Sequence, residues 1–224
     1  GFRSGTVLGG GDWSFTAAVL AVGITFEPPL NASGTYDLVI SATSTEAEGD
    51  TASNTAPIQI VVAGVADPAT LVTGTTTATE DPGVIPIGAD ITLAGNDLDG
   101  SETMSVVLSG LPATGTASWN TGLPGTVTPG IVPGTFTIDG TPQEVAAILA
   151  TFGVTPATHD AVDFTVSVDV TTTDGVDTTT VSDTHDVTIT AVADAPVVTV
   201  GTSALDEDTA TVFGTDVSYA LVDT

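Results

Sequence analysis

The chain has 224 residues, of which 28 are acidic and only one, Arg3, is basic, so its formal net charge at pH 7 is −27. This charge repels nucleic acid phosphates and anionic lipid, and the sequence holds no long apolar run, so we expect neither nucleic acid binding nor direct membrane insertion. Hydrophobic residues make up 41% of the chain and charged residues 13%, which excludes the disordered acidic class. There is no cysteine, so no disulfide can staple the fold.

The sequence repeats itself over a long period. Asp67 returns as Asp194 and Glu80 returns as Glu207, in both cases 127 positions later. A period of this length suits one folded domain per repeat rather than a unit of a solenoid. We therefore expect the C-terminal part of one β-sandwich repeat, then one complete repeat, then the N-terminal strands of a following repeat, in residues 1–65, 66–193 and 194–224.

These boundaries suggest a piece of a longer array of repeats. The alternative is a protomer whose two partial domains complete each other head to tail, as heterologous contacts allow. Taken together, the two partial domains still lack the counterpart of residues 99–123, which argues against that alternative.

Alternation of apolar and polar residues predicts β-strands along the whole chain. Tyr36, Leu38 and Ile40 alternate with polar residues in the first part, and residues 164–170 do so in the complete repeat. Many short strands of this kind, joined by tight turns, indicate an all-β fold of tandem antiparallel β-sandwich domains. In the complete repeat we predict strands near 69–76, 85–94, 103–111, 114–119, 134–138, 152–155, 161–172 and 179–191.

One short helix is predicted in the complete repeat. Residues 141–144 read as a capping box with proline at the first helical position, and the apolar run 145–149 follows. In the first part of the chain we predict a shorter counterpart of this helix, at about residues 16–20. Two hairpin turns are also predicted, around residues 173–177 and 45–50.

The acidic residues concentrate near turns. If the first strand of the complete repeat runs upward from its linker, the alternating strand directions bring the acidic turns to the two ends of the sandwich. The lower end then gathers Asp67, Asp97, Asp99, Glu102 and Asp174, with Asp177 close by. The upper end gathers Glu80, Asp81, Asp160 and Asp194, and the next repeat adds Asp223, the counterpart of Asp97.

Carboxylates at that density repel one another strongly unless cations neutralise them. Calcium takes six to eight oxygen ligands in a flexible geometry. The Asp-x-Asp-Gly spacing at residues 97–100 suits such a site, because alternate side chains converge and glycine permits the turn. A solvated acidic surface is the simpler alternative, but the recurrence of acids at both ends favours Ca2+, which would also replace disulfides as a staple.

Four segments carry a family resemblance: residues 79–81, 97–106, 109–112 and 191–196. They resemble the tandem cadherin-like or immunoglobulin-like repeats of giant bacterial surface adhesins secreted by type I systems, the RTX adhesins. The resemblance implies extracellular extender modules at the bacterial cell surface, with calcium at the junctions between repeats. It also implies shared ligands, which map onto Glu80, Asp194 and Asp223 at one junction and onto Asp67, Asp97 and Asp99 at the other.

The sequence offers little catalytic machinery, and we expect no enzyme. Cysteine and lysine are absent, no Gly-x-Ser-x-Gly motif occurs, and His159 and His185 lack a metal-like spacing and are expected at the surface. We expect instead a calcium-stiffened structural extender whose partners are neighbouring repeats of the same chain or filament. It would position a distal tip that binds a cell surface or polysaccharide.

Two other function classes remain open. The chain could be a subunit of an extracellular filament or surface layer, which polymerisation of isolated chains would reveal. It could also be an adhesin module that binds carbohydrate, for which the threonine-rich faces at 171–173 and 178–180 are the candidate surface.

Overall fold

The computed structural model describes residues 1–81, 83–96, 100–202, 204, 206–208, 210, 214 and 217–221. The fold is all-β with short helices, as predicted. Helix α1 spans Ala17–Val22 and helix α2 spans Pro142–Leu149. The strands are β1 (Thr6–Gly9), β2 (Asp12–Ser14), β3 (Gly34–Thr45), β4 (Thr51–Val62), β5 (Thr70–Thr73), β6 (Thr75–Thr79), β7 (Ile91–Ala94), β8 (Thr103–Ser109), β9 (Thr116–Ser118), β10 (Thr126–Pro129), β11 (Phe136–Gly140), β12 (Gly153–Thr155), β13 (Phe164–Asp174), β14 (Asp177–Thr190), β15 (Val197–Val200) and β16 (Val217–Ala220).

A six-stranded sheet forms one layer of the central sandwich. Its strand order is β10-β11-β8-β13-β14-β6. All neighbouring pairs in it are antiparallel except the edge pair β14–β6, which is parallel. The parallel pair departs from the purely antiparallel sandwich that the alternation predicted. It arises because the first and last strands of the repeat both run from the entry of the chain towards its exit.

The first strand of the complete repeat serves both layers of the sandwich. The predicted strand 69–76 divides at Gly74 into β5, which pairs with β7, and β6, which pairs with β14. Strand β9 pairs with β12, and an isolated bridge joins Ile85 to Val154. These short pairs pack against the six-stranded sheet through a common core.

The core follows the predicted alternation. On β13, Val166, Val168 and Val170 are at most 1% exposed, whereas Thr165 is exposed to solvent. Leu108 of β8 and Phe152, which precedes β12, are fully buried in the same cluster. Burying each such side chain contributes about 1.5–3 kcal/mol, so this cluster supplies the main driving force for folding.

Helix α2 begins as the sequence predicts. The Thr141 hydroxyl accepts a hydrogen bond from the Glu144 backbone N–H, and the Glu144 carboxylate accepts one from the Thr141 N–H, which completes a capping box. The helix then buries Val145, Ile148 and Leu149 against the sheet.

Two predicted details differ from the structure. A 3-10 helix, Ile87–Asp90, interrupts the predicted strand 85–94. It forms because Gly88 donates to the Phe152 carbonyl and packs so close to the Leu149 carbonyl that a Cβ there would clash. Strand β10 was not predicted; its proline is tolerated because β10 lies at the edge of the sheet.

The first part of the chain holds two hairpin-like pairs, β1–β2 and β3–β4, with α1 between them. The predicted turn at 45–50 connects β3 to β4, and Thr16 caps α1, which extends to Val22 instead of ending near residue 20. Phe2 packs edge-on against Trp13, Phe15 and Phe26, and this aromatic cluster anchors the first part.

The last part of the chain copies the pairing of the first strands of the complete repeat. Thr70 pairs with Ala94 between β5 and β7, and Val197 pairs with Ala220 between β15 and β16. The offsets are 127 and 126 positions, so the first equals the sequence period and the second is one residue short of it. Asp81 and its counterpart Asp208 also share a left-handed backbone, with φ angles of 56° and 60°.

Candidate functional site

The two ends of the central sandwich are defined by the parallel pair β6–β14. Thr79 pairs with Thr190 where both strands finish, and this is the upper end. The lower end is the opposite one, where the β13–β14 turn lies between Asp174 and Asp177 and where β8 begins.

At the upper end, Glu80 bridges from β6 to the segment that leaves the sandwich. Its backbone N–H donates to the Thr190 carbonyl at 2.8 Å. Its carboxylate Oε2 accepts a hydrogen bond from the Val192 N–H, also at 2.8 Å. Only 6% of Glu80 is exposed, so a carboxylate is buried at the chain's exit.

His159 lies beside Glu80 and is held between two aspartates. Its Nδ1 is 3.2 Å from Asp81 Oδ2 and 2.5 Å from Asp194 Oδ2. Its backbone N–H donates to Asp81 Oδ1 at 2.9 Å. Both His159 and Asp81 adopt left-handed backbone angles, φ 59° and 56°, which are uncommon for residues other than glycine. The turn at Asp81 and the turn at His159 are therefore held in contact with each other.

Glu80, His159 and Asp194 form one compact group of possible metal ligands, which we call the upper cluster. One ligand atom from each lies within 4.8 Å of the others. Among the described residues, no other set of three or more His, Asp or Glu side chains meets this distance. The upper cluster unites two residues predicted as ligands with a histidine that was not.

Asp160 was also predicted at the upper end, and the structure gives it a different role. Its Oδ1 accepts a hydrogen bond from the Val162 N–H, closing a local turn. The neighbouring Asp163 accepts from the Ile189 N–H at 2.7 Å and so joins the start of β13 to β14. Neither belongs to the upper cluster.

At the lower end, carboxylates hold the backbone that enters the sandwich. Glu102, which is 4% exposed, accepts from the Asp67 N–H at 2.9 Å. Asp177 accepts from the Ala66 N–H at 3.0 Å. Asp174, 7% exposed, packs against Gly64, where an added Cβ would clash with the carboxylate.

The lower end also contacts the first part of the chain. The Ser33 hydroxyl donates to Asp174 at 3.3 Å, and the Asn31 amide donates to the Asn96 carbonyl at 3.1 Å. A cleft of about 400 Å³ lies here, and Asp67 and Asp174 line it. The predicted ligands Asp97, Asp99 and Asp223 lie outside the described residues.

No basic side chain neutralises these carboxylates. The chain has no lysine, and the guanidinium of its single arginine, Arg3, pairs with Glu27. The N-terminal ammonium donates to the Glu27 carbonyl. Any positive charge beside these carboxylates therefore comes from a proton, a histidine or a bound cation.

His185 was expected at the surface, and that expectation is wrong. The side chain is fully buried on β14, opposite Val166. Its Nε2 lies 2.9 Å from the Thr76 hydroxyl, which itself donates to Asp90 at 2.5 Å. Burial lowers the pKa of His185 below its usual value, although Asp90 and Asp186 oppose the shift. His185 is thus a neutral core residue.

A second cleft, of about 200 Å³, lies beside β9 and β11. Leu111, Phe136 and Val154 line it together with prolines and glycines, and the described residues of its lining include no acid or histidine.

No protein-family model matches the chain, and no curated protein matches its sequence. None of the helices in the described part of the chain is long and apolar enough to cross a membrane.

Proposed function

We propose that the chain is a stretch of structural extender from a large extracellular bacterial adhesin of the RTX type. Divalent cations, chiefly Ca2+, bind at both ends of each sandwich and stiffen the string of repeats. The module itself carries no catalytic activity. Its partners are the neighbouring repeats, and a cell-surface or polysaccharide ligand is bound elsewhere in the parent protein.

One observation carries this proposal. At each end of the sandwich a buried glutamate accepts a hydrogen bond from the backbone of the connecting segment: Glu102 from Asp67 at the entry, and Glu80 from Val192 at the exit. Because the two glutamates are at most 6% exposed, their charges are poorly solvated. A cation placed against them would hold the connecting segment to the sandwich and neutralise the charge.

The chemistry of the donors supports calcium at the lower end. Every predicted ligand there is a carboxylate, and calcium prefers six to eight oxygens, including backbone carbonyls from loops. A cation that binds these buried carboxylates offsets part of the cost of removing their charges from water, so the folded state gains stability from it. In this proposal the lower ligands are Asp67, Asp97, Asp99, Glu102 and Asp174. The upper ligands are Glu80, Asp81, Asp194 and Asp223, without Asp160, whose carboxylate closes a local turn with Val162.

A subunit of a filament or surface layer is the second candidate. Apolar side chains are exposed on the pairs that flank the central sandwich, including Ile40 and Ile58 on β3–β4 and Val200 and Tyr219 on β15–β16. If these faces join between chains, the purified protein polymerises, and its mass in solution grows with concentration. If the extender proposal holds, it stays a monomer.

The test of the extender proposal is thermal unfolding of this chain in a calcium titration. We expect the melting temperature to rise with calcium and to fall back on adding chelator, with magnesium at equal concentration giving a smaller rise. The same melting temperature with calcium and with chelator would overturn the proposal.

A further inference from the structure

We propose that the upper cluster selects a transition-metal dication of the Zn2+ type over Ca2+. The inference rests on the proposed function only in that cations occupy the ends of the sandwich. It adds that the two ends differ in the metal they take: oxygen donors alone at the lower end, and a mixed nitrogen and oxygen set at the upper end.

The orientation of His159 is the first support. Its Nδ1 is excluded from solvent and makes no hydrogen bond of acceptable geometry, and the same holds for Asp194 Oδ2, which lies 2.5 Å away. Two such atoms lie this close when they share a hydrogen on Nδ1, which the neutral imidazole tautomer also carries, or a metal ion. With no lysine in the chain and Arg3 paired to Glu27, no other basic side chain is available to separate them.

The donor set decides between metals. Imidazole nitrogen with carboxylate oxygen is a ligand combination typical of Zn2+, which is four-coordinate with bonds of about 2.0–2.2 Å. Calcium takes oxygen ligands and needs more of them. Glu80, His159 and Asp194 supply three donors, and Asp81 Oδ2, 3.2 Å from His159 Nδ1, or a water supplies the fourth.

The distances from His159 Nδ1 to the two aspartates can be compared with those in such a site. Ligand atoms around a tetrahedral Zn2+ ion lie about 3.3 Å apart, given those bond lengths. The separation between Asp81 Oδ2 and His159 Nδ1 is already close to this, and that between Asp194 Oδ2 and His159 Nδ1 is shorter. Asp194 lies outside any strand and is partly exposed, so its side chain can rotate outward.

The scaffold holds two of the ligands in place before metal binds. The Val192 N–H fixes the Glu80 carboxylate, and Asp81 fixes the backbone of His159. Asp194 belongs to the segment that leaves the sandwich. A metal bound to all three therefore ties the exit segment to the end of β6 and to the turn at His159, which locks the direction in which the chain leaves.

The test is competitive titration of the whole chain with Zn2+ against a chromophoric chelator, in the presence and absence of excess Ca2+. We expect one Zn2+ site that excess calcium does not displace. His159→Asn should weaken Zn2+ binding at least 100-fold, and the matched control Asp177→Asn, at the lower end, should change it less than threefold. Substituting Co2+ should give a visible absorption band that His159→Asn abolishes.

The possible failures are distinguishable. Unchanged Zn2+ affinity in His159→Asn, with circular dichroism showing a folded protein, overturns this inference, as does displacement of Zn2+ by the excess Ca2+. Neither result affects the calcium-dependent melting on which the extender proposal depends. Conversely, Zn2+ binding that depends on His159, in a chain whose melting temperature does not change with calcium, would support the inference and overturn the extender proposal.

Discussion

Glu102 Oε1 accepts a hydrogen bond from the Asp67 backbone N–H at 2.9 Å, joining the start of β8 to the segment that enters the sandwich. Glu80 makes the equivalent bond to Val192 at the opposite end. The sandwich thus holds both of its connections through buried carboxylates. This relationship makes the two glutamates the points at which the connecting segments are fixed to the sandwich.

Replacing Glu102 with glutamine distinguishes the effect of its negative charge from the effect of its hydrogen bond. The amide oxygen of Glu102→Gln can still accept from the Asp67 N–H, but the negative charge that favours calcium is gone. At free calcium 100 times the dissociation constant, one site adds about 2.7 kcal/mol to the free energy of unfolding, and the variant should lose most of that gain. Thermal unfolding with calcium and with chelator measures it.

The matched control for that variant is Asp139→Asn, because Asp139 is exposed on β11 and is not one of the proposed ligands. It should keep the full calcium response. Asp169, although also on a strand, is a poor control, because it accepts hydrogen bonds from Ser182 at 2.6 Å and Ser167 at 3.3 Å. Equal calcium responses in Glu102→Gln and Asp139→Asn would contradict the assignment of Glu102 as a ligand.

Gly64 should not tolerate a side chain. A Cβ there would collide with the carboxylate of Asp174, which is 7% exposed and cannot move freely. We expect Gly64→Ala to lower the free energy of unfolding by about 1–3 kcal/mol, the usual cost of overpacking. Urea unfolding measures this change. Gly122→Ala is the control, since its Cβ meets only the Asn120 side chain, at 3.3 Å; equal losses would show that the Asp174 contact is unimportant.

Burial of neutral His185 should make the sandwich sensitive to mild acid. Its pKa is lowered by desolvation from the usual 6.5, so the unfolded chain binds a proton more readily than the folded chain does. The stabilisation is therefore complete above pH 6.5 and is lost as the pH falls from there towards the lowered pKa. The slope from this one group is at most about 1.4 kcal/mol per pH unit.

The variant His185→Gln should remove this component. The bond from Thr76 to Asp90 does not involve the imidazole and can persist in the variant. Subtracting the unfolding free energies of the variant from those of the parent between pH 5 and pH 8 isolates the contribution of His185 from that of the carboxylates. A difference that does not change with pH would show that His185 titrates normally.

The capping box of α2 offers a local test of the fold. Thr141→Ala removes the acceptor for the Glu144 N–H and should cost about 1 kcal/mol of stability. Thr141→Ser, which keeps the hydroxyl acceptor, is a suitable comparison. If Thr141→Ala and Thr141→Ser unfold at the same urea concentration, the cap contributes nothing to the stability of the sandwich.

Local signals in the sequence were sufficient for much of the fold. The capping box at Thr141 and Glu144 and the alternation on β13 each depend on neighbours a few positions away, and both are confirmed. Placing Glu80 at the chain's exit required only the directions of the first and last strands. The break in the predicted strand 85–94 at Gly88 could not be predicted from the sequence. It depends on packing against Leu149, which lies far along the chain.

The surroundings of the two histidines depend on different kinds of sequence signal. His159 contacts Asp81, which is 78 positions away in the sequence. The contact depends on left-handed backbone angles at both residues, and no local sequence pattern predicts these angles. His185, by contrast, is in phase with Val187 and Ile189 on β14, and this alternation marks it as inward-facing. Its burial could have been predicted from the sequence.

Small-angle X-ray scattering of the whole chain, with calcium and then with chelator, tests most directly whether cations stiffen the connections between repeats. The account predicts that calcium lengthens the maximum dimension and removes the signature of flexibility, and that Glu102→Gln weakens this response. Superimposable profiles in calcium and chelator, from protein that has stayed folded, would contradict it.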